Sequence, residues 1–302
     1  MKFGAIDIGS NAVRLLISNV YNDSDQPVFK KSSLIRVPIR LGEDSFKQQF
    51  ISEKKTEKLI KTIHAFRNLL EVHEVIAFEA CATSAMREAE NGQQVIKKIK
   101  IETGVKIKVI DGKTEATIIN SNHVAEKIDD RKCFLYIDVG GGSTEVTLFS
   151  NNKIISAGSF NIGTLRMLNK QVSEDDWHSM KKWLSKHTCE FRNLTAIGSG
   201  GNINKIYKLS ELKKGVPLSF TKLKEWRNLL ESYSYDKKIR LLGLNMDRAD
   251  VIVPAANIFI AIMKVAGINE IFVPQIGLSD GIVHLLYEEY RKKARKGLAI
   301  LA

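Results

Sequence analysis

Three short turns hold the residues best suited to chemistry. They are Asp7-Ile8-Gly9-Ser10-Asn11, Asp138-Val139-Gly140-Gly141-Gly142-Ser143-Thr144-Glu145 and Gly198-Ser199-Gly200-Gly201-Asn202. In the second, Gly140, Gly141 and Gly142 lack a Cβ, so the backbone can turn tightly and bring its N–H groups to an oxyanion. Ser143 and Thr144 add hydroxyl donors. Asp138 leads into the turn and Glu145 follows it, a pairing that suits a Mg2+ ion shared between protein and phosphate oxygens. A plain hairpin needs only Gly or Asn, yet the first turn carries an acid, Asp7, in the same place, followed by Gly9, Ser10 and Asn11. The third turn lies between a strand and a helix. There the helix dipole and unpaired N–H groups favour negative charge beside Ser199, Gly200 and Gly201.

Such turns must be held by strands. Strand-like runs fall at Phe3–Ile8, Val13–Val20, Val28–Val37, Val75–Ala80, Val105–Ile110, Phe134–Asp138, Thr144–Phe149, Lys153–Ser159, Leu194–Ile197 and Glu270–Val273. Helical patterns cover 52–72, 91–103, 113–126, 174–191, 201–208, 221–232, 248–266 and 279–293, with Ser173-x-x-Asp176 as a capping box. This order predicts α/β layers with mixed sheets. The first two turns sit in matching strand–acid–turn–strand segments about one domain length apart. Two similar domains facing each other across a cleft follow: 1–125 and 126–302, with a boundary near Asp129-Asp130-Arg131. The C-terminal helix, about 282–302, could return to the first domain.

The 302 residues carry a formal net charge of +12, which favours polyanionic partners. Paired lysines, among them Lys54-Lys55 and Lys97-Lys98, read as solvated helix faces. No zinc-finger, RNP or clear helix-turn-helix pattern points to specific nucleic-acid binding. The longest apolar candidate, Val251 to Ala266, is broken by Pro254, Asn257 and Lys264, so no membrane span is expected. No signal peptide is visible, and the isolated Cys81, Cys133 and Cys189 suit a reducing compartment, so the expected location is the cytoplasm.

Taken in order, these turns resemble the phosphate loops of the actin/sugar-kinase/Hsp70 superfamily, and most closely the exopolyphosphatase/guanosine pentaphosphatase family. The resemblance also rests on Ala82-Thr83-Ser84-Ala85-Met86-Arg87-Glu88-Ala89, Asn91-Gly92, Thr103-Gly104-Val105-Lys106-Ile107, Gly112-x-x-Glu115-Ala116, Arg248-Ala249-Asp250-Val251-Ile252 and Gly277-Leu278-Ser279-Asp280-Gly281. It implies two ribonuclease H-like, actin-like domains with the active site between them. It also implies Mg2+-dependent hydrolysis of the terminal phosphoanhydride of inorganic polyphosphate, or of the 5′-phosphate of guanosine pentaphosphate. Glu115 would be the catalytic carboxylate, deprotonating a water in line with the terminal phosphorus. Asp138 and Glu145 would hold the metal, with support from Asp7. The turns and Arg87 would grip phosphates, Arg87 through a planar guanidinium that matches their oxygens. A homodimer is compatible with the family.

The chain departs from the family pattern in places. Thr114 and Thr117 replace a Glu and an Arg around Glu115, Asn202 replaces a Thr, and Asp280 replaces a Glu. The chain ends where longer members continue into helical domains, which puts processivity on long polymers in doubt. Loss of the two charges beside Glu115 motivates another reading, a weakly catalytic polyphosphate- or nucleotide-binding regulator. An ATP-dependent kinase of the superfamily is a further alternative.

Overall fold

Two antiparallel meanders, each beginning with an almost wholly apolar strand, organise the chain. The computed structural model describes residues 1–22, 26–122, 133–151, 153–191 and 194–295. These divide into two compact units, one from Met1–Asn122 with Leu278–Ala302 and the other from His123–Gly277. The expected boundary at Asp129–Arg131 lies outside the described residues.

In the first unit β1 (Lys2–Ile8), β2 (Val13–Tyr21) and β3 (Val28–Val37) form the meander. β1 and β2 are buried on both faces and lie inside the sheet, whereas β3, with Lys30, Lys31, Ser32 and Ser33, is its solvated edge. α1 (Leu41–Gln48) and α2 (Glu53–Val72) follow. Then β4 (Ala77–Ala82), α3 (Ser84–Glu88), α4 (Gly92–Thr103), β5 (Ile107–Val109) and α5 (Gly112–Asn120) complete this stretch. β4 runs parallel to β1, and β5 parallel to β4, giving the order β3-β2-β1-β4-β5.

The second unit repeats the plan. β6 (Phe134–Val139), β7 (Thr144–Ser150) and β8 (Lys153–Phe160) form its meander, followed by α6 (Thr164–Leu168) and α7 (Glu174–Thr188). Ser173 and Asp176 cap α7 reciprocally, the capping box that the sequence predicts. β9 (Thr195–Ser199) runs parallel to β6 and leads into α8 (Gly201–Leu209). Next come β10 (Leu218–Ser219), α9 (Phe220–Ser232), α10 (Tyr235–Leu242), α11 (Met246–Ala249), α12 (Ile252–Val265) and β11 (Glu270–Phe272). The strand order is β10-β11-β9-β6-β7-β8. The core packs Leu135, Ile137, Val146 and Leu148 against Phe259 and Ile262 of α12.

The single helix expected over 248–266 is two, α11 and α12. In one continuous helix Pro254 would remove a backbone hydrogen bond and strike the carbonyl four residues earlier. Starting at Ile252 places Pro254 in the first turn, where no intrahelical N–H is required. The helices α1, α3, α6 and α10 have no counterpart in the sequence-based expectation.

The last helix, α13 (Leu278–Arg295), belongs to the first unit and packs on β1, β2, β4 and α5. Tyr287 and Tyr290 meet Phe3 edge-on, and Phe29 stacks on His284 at 3.6 Å between ring centroids. Lys31 of β3 pairs with Asp280 at 2.8 Å. A Cβ on Gly281 would lie 2.0 Å from the Ile118 carbonyl oxygen, so only glycine lets α13 approach α5 this closely. Gly281→Val should therefore destabilise the protein by about 1–3 kcal/mol or more, read as a lowered Tm in thermal unfolding. An unchanged Tm would show that this helix contact is not close-packed.

Candidate functional site

The second turn is built first by register. Asp138, the last residue but one of β6, pairs directly with Glu145 of β7, so both carboxylates stand on one face of the sheet. The same row continues to Ser199 of β9 beside Asp138 and to Ser159 of β8 beside Glu145. Glu145 is only 2% exposed, and its Oε1 accepts a hydrogen bond from Ser159 Oγ at 3.0 Å. Gly200 has φ +107, and a Cβ there would lie 3.3 Å from Asp138 Oδ1 and 3.0 Å from the Val139 carbonyl oxygen. The third turn thus lies against Asp138. The donors are all oxygen, which suits a hard divalent cation. Among the described residues no group of three or more His, Cys, Asp or Glu side chains gathers to hold a metal. A cation at Asp138 and Glu145 would complete its shell with water and ligand oxygens, as Mg2+ commonly does.

The turn itself is oriented by α6. The carbonyl oxygens of Gly140 and Gly141 accept from the N–H groups of Thr164, at 3.0 Å, and Leu165, at 2.9 Å. That of Gly142 accepts from Arg166 Nε at 2.7 Å. Among the described residues there are no cis peptides, and in a trans peptide the next N–H points opposite to the carbonyl. The N–H groups of Gly141, Gly142 and Ser143 are therefore aimed away from α6, as an anion cradle requires. Gly163 permits the approach: its Cβ would lie 2.4 Å from the Gly141 carbonyl oxygen.

The first turn follows the same design. The carbonyl oxygen of Ser10 accepts from Gly42 N at 2.9 Å, and that of Asn11 from Arg40 N at 3.0 Å. The start of α1 thereby turns the N–H groups of Asn11 and Ala12 the other way. Gly9 closes the turn onto the Ala12 carbonyl oxygen at 3.2 Å. Its acid has a different neighbour from Asp138. Asp7 pairs in register with Arg14, whose guanidinium lies 3.0 Å from Oδ2. Burial pushes the Asp7 carboxyl above its ordinary range, and Arg14 partly opposes that.

Several hydroxyls expected at phosphate are occupied within the turns. Ser10 Oγ bonds Ser84 Oγ at 2.8 Å and accepts from Ala85 N at 3.2 Å. Thr144, fully buried, donates to the Ile162 carbonyl oxygen, and Ser199 donates to that of Ile276 at 3.0 Å. These side chains hold the loops in shape, and the donors aimed outward around the first two turns are backbone N–H groups. Ser143 is buried.

Glu115 stands in the first turn of α5 and is 9% exposed. Asp111 caps that helix, accepting from Thr114 N at 2.7 Å. Hydrogen bonds from the Thr114 side chain and backbone, assisted by the charges of Arg87 and Lys113, hold the Asp111 carboxyl below its ordinary range. Arg87 donates to the Ile110 carbonyl oxygen at 2.7 Å, so it braces the approach to α5. Thr117 bonds back to the Lys113 carbonyl oxygen at 2.9 Å. The two threonines that replace charged residues around Glu115 thus serve the helix itself.

The residues that sequence reading missed are Arg40, Gly42, Gly163 and Arg166. Helices α1 and α6 are too short to show a period. The available signal was Gly163, a glycine shortly after the strand-like run Lys153–Ser159.

Residues 20–289 match the Ppx/GppA phosphatase family. The chain is 30% identical over 316 residues to the bifunctional 3-dehydroquinate synthase/phosphatase of Fusobacterium nucleatum, covering 96% of this chain and 46% of that protein. It therefore spans less than half the length of that relative. It is 25% identical over 306 residues to exopolyphosphatase 1 of Mycobacterium tuberculosis, covering 94% of this chain and 87% of that one. An exopolyphosphatase crystal structure from Cytophaga hutchinsonii superposes with a TM-score of 0.80 at 25% identity, over 100% of both chains. The mixed α/β fold with two sheets is that of these neighbours.

Gly163→Ala should push α6 off the second turn and raise the Kd for a short polyphosphate about tenfold, the effect of losing a charge-assisted hydrogen bond. Isothermal titration calorimetry measures this, and an unchanged Kd would contradict the orienting role of α6.

Proposed function

This chain belongs to the Ppx/GppA phosphatase family, and on that premise we propose that it hydrolyses the terminal phosphoanhydride of inorganic polyphosphate, releasing orthophosphate. The family is one of phosphatases that hydrolyse phosphoanhydrides. The observation that carries the substrate reading is the second turn. Its three glycine carbonyls are each held by a donor, so its N–H groups face outward beside two carboxylates. Phosphoryl transfer depends mainly on placement and charge neutralisation, which such a turn can supply. The net charge of +12 favours a polymer of phosphates over a small anion.

In this reading Asp138 and Glu145 would hold Mg2+, which when bound would neutralise phosphate charge. Ser159 fixes the Glu145 carboxylate in orientation. In the second unit the N–H groups of Gly141, Gly142 and Ser143 bind phosphate oxygens; in the first unit those of Asn11 and Ala12 form an anion cradle of their own. Glu115 accepts a proton from the attacking water as the new P–O bond forms. The bridging P–O bond breaks, and the shortened chain leaves with the bridging oxygen. Arg87 and Asp111 position α5 and with it Glu115. Among the described residues no helix is long and apolar enough to cross a membrane.

Glu115→Gln should lower phosphate release about 10²–10⁴-fold, the usual contribution of a general base, with substrate binding retained. The assay compares long and short polyphosphate, guanosine pentaphosphate and ATP, each with Mg2+. Release from guanosine pentaphosphate alone would replace the substrate. No release from any of the four, with tight polyphosphate binding, would make the protein a binding regulator.

A further inference from the structure

We infer that Lys55 is a positioning residue for the first phosphate turn, acting through Arg40 and the N-terminus of α1. The inference rests on the reading that this turn binds substrate phosphate.

The turn's outward N–H groups depend on Arg40 N and Gly42 N, which hold the carbonyls of Asn11 and Ser10. Arg40 adopts φ 57 and ψ 48, a left-handed conformation that side chains other than glycine seldom hold unless the surroundings enforce it. The enforcement comes from Lys55. Its ammonium donates to the Arg40 carbonyl oxygen at 2.6 Å and meets Asp44 Oδ1 at 2.7 Å and Glu43 Oε2 at 3.2 Å. Three donors thus meet three acceptors, one of them the carbonyl of the left-handed residue. Arg40 Nε also reaches Glu43 Oε1. The side chains of Lys55 and Asp44 are 17% and 15% exposed, so the bond between them is shielded from water and salt. Reading the Lys54-Lys55 pair as a solvated face therefore holds for Lys54 alone, since Lys55 turns inward.

The brace continues to a family motif whose role the proposed chemistry leaves unused. Asp44, besides Lys55, accepts from Ser52 N at 3.0 Å and Ser52 Oγ at 2.6 Å. The adjoining Ile51 is gripped both ways by the Asn91 amide, at 2.9 Å and 2.8 Å. Asn91 is itself followed by Gly92, where a Cβ would lie 2.2 Å from the Met86 carbonyl oxygen. A chain of named bonds thus runs from the start of α4 through Ile51, Ser52, Asp44 and Lys55 to Arg40 and the turn. Lys55 is the link through which the brace reaches the left-handed residue.

The test measures polyphosphate binding by calorimetry in the Glu115→Gln protein, with and without Lys55→Met. Kinetics of otherwise wild-type Lys55→Met accompany it. The Kd should rise about tenfold, as for a lost hydrogen bond to a charged group. KM should rise to match, with kcat within about threefold, and Lys55→Arg should recover most of the affinity. A purely structural role would lower Tm without moving KM in the folded fraction. Unchanged Kd and KM, or a loss that Lys55→Arg does not recover, overturns the inference. If Lys55→Met fails to fold, Asp44→Asn, which loosens the Lys55 ammonium, should raise KM about threefold; no rise overturns the inference equally. Absence of polyphosphate binding by the Glu115→Gln parent, with no phosphate release by wild type, overturns the reading beneath it and this inference with it. Tight binding that is indifferent to Lys55 overturns this inference alone.

Discussion

A backbone carbonyl that already has a donor cannot face an anion, and the structure depends on that constraint. In each unit the helix after the third meander strand gives its first donors to the carbonyls of the turn between the first and second strands. α1 does this for Ser10 and Asn11, and α6 for Gly140 and Gly141, with Arg166 serving Gly142. Trans peptide geometry then decides where the N–H groups point. The apolar strands beneath, buried on both faces, keep the turns at the sheet ends. Gly163, by lacking a Cβ, lets α6 come near enough to donate.

The two units share this scaffold and differ in what the strands place beside it. In the second, the row across β9, β6, β7 and β8 reads Ser199, Asp138, Glu145 and Ser159, all oxygen donors. In the first, the row across β3, β2, β1 and β4 reads Arg36, Arg14, Asp7 and Cys81. Here the acid is neutralised by an arginine, and burial pushes the neighbouring thiol up to about 12. The same topology therefore offers a row of oxygen side chains once and an ion-paired row once. The internal echo in the sequence shows the shared acid and cannot show its partner, since partners are chosen by register across strands far apart in the chain.

The same distinction explains what was legible in advance. Long apolar runs disclosed ten of the strands, and the glycine turns fall between them where the sequence puts them. The capping box of Ser173 and Asp176 was readable because both members lie within four residues. Helices α1 and α6 were not, because eight and five residues give too little period to see. Nor was the occupation of Ser10, Thr144 and Ser199, whose partners Ser84, Ile162 and Ile276 lie well away in sequence. Glu115 drew its assignment from the resemblance; the structure adds that it stands buried at the start of a helix capped by Asp111 and braced by Arg87.

The most direct test of the account is a two-dimensional amide NMR titration of the Glu115→Gln protein with short polyphosphate and Mg2+. The account predicts the largest amide shifts at Gly141, Gly142 and Ser143, with a second group at Asn11 and Ala12. Saturable binding that leaves those five amides unmoved, while shifting others, would contradict the claim that helix-held carbonyls aim these N–H groups at phosphate.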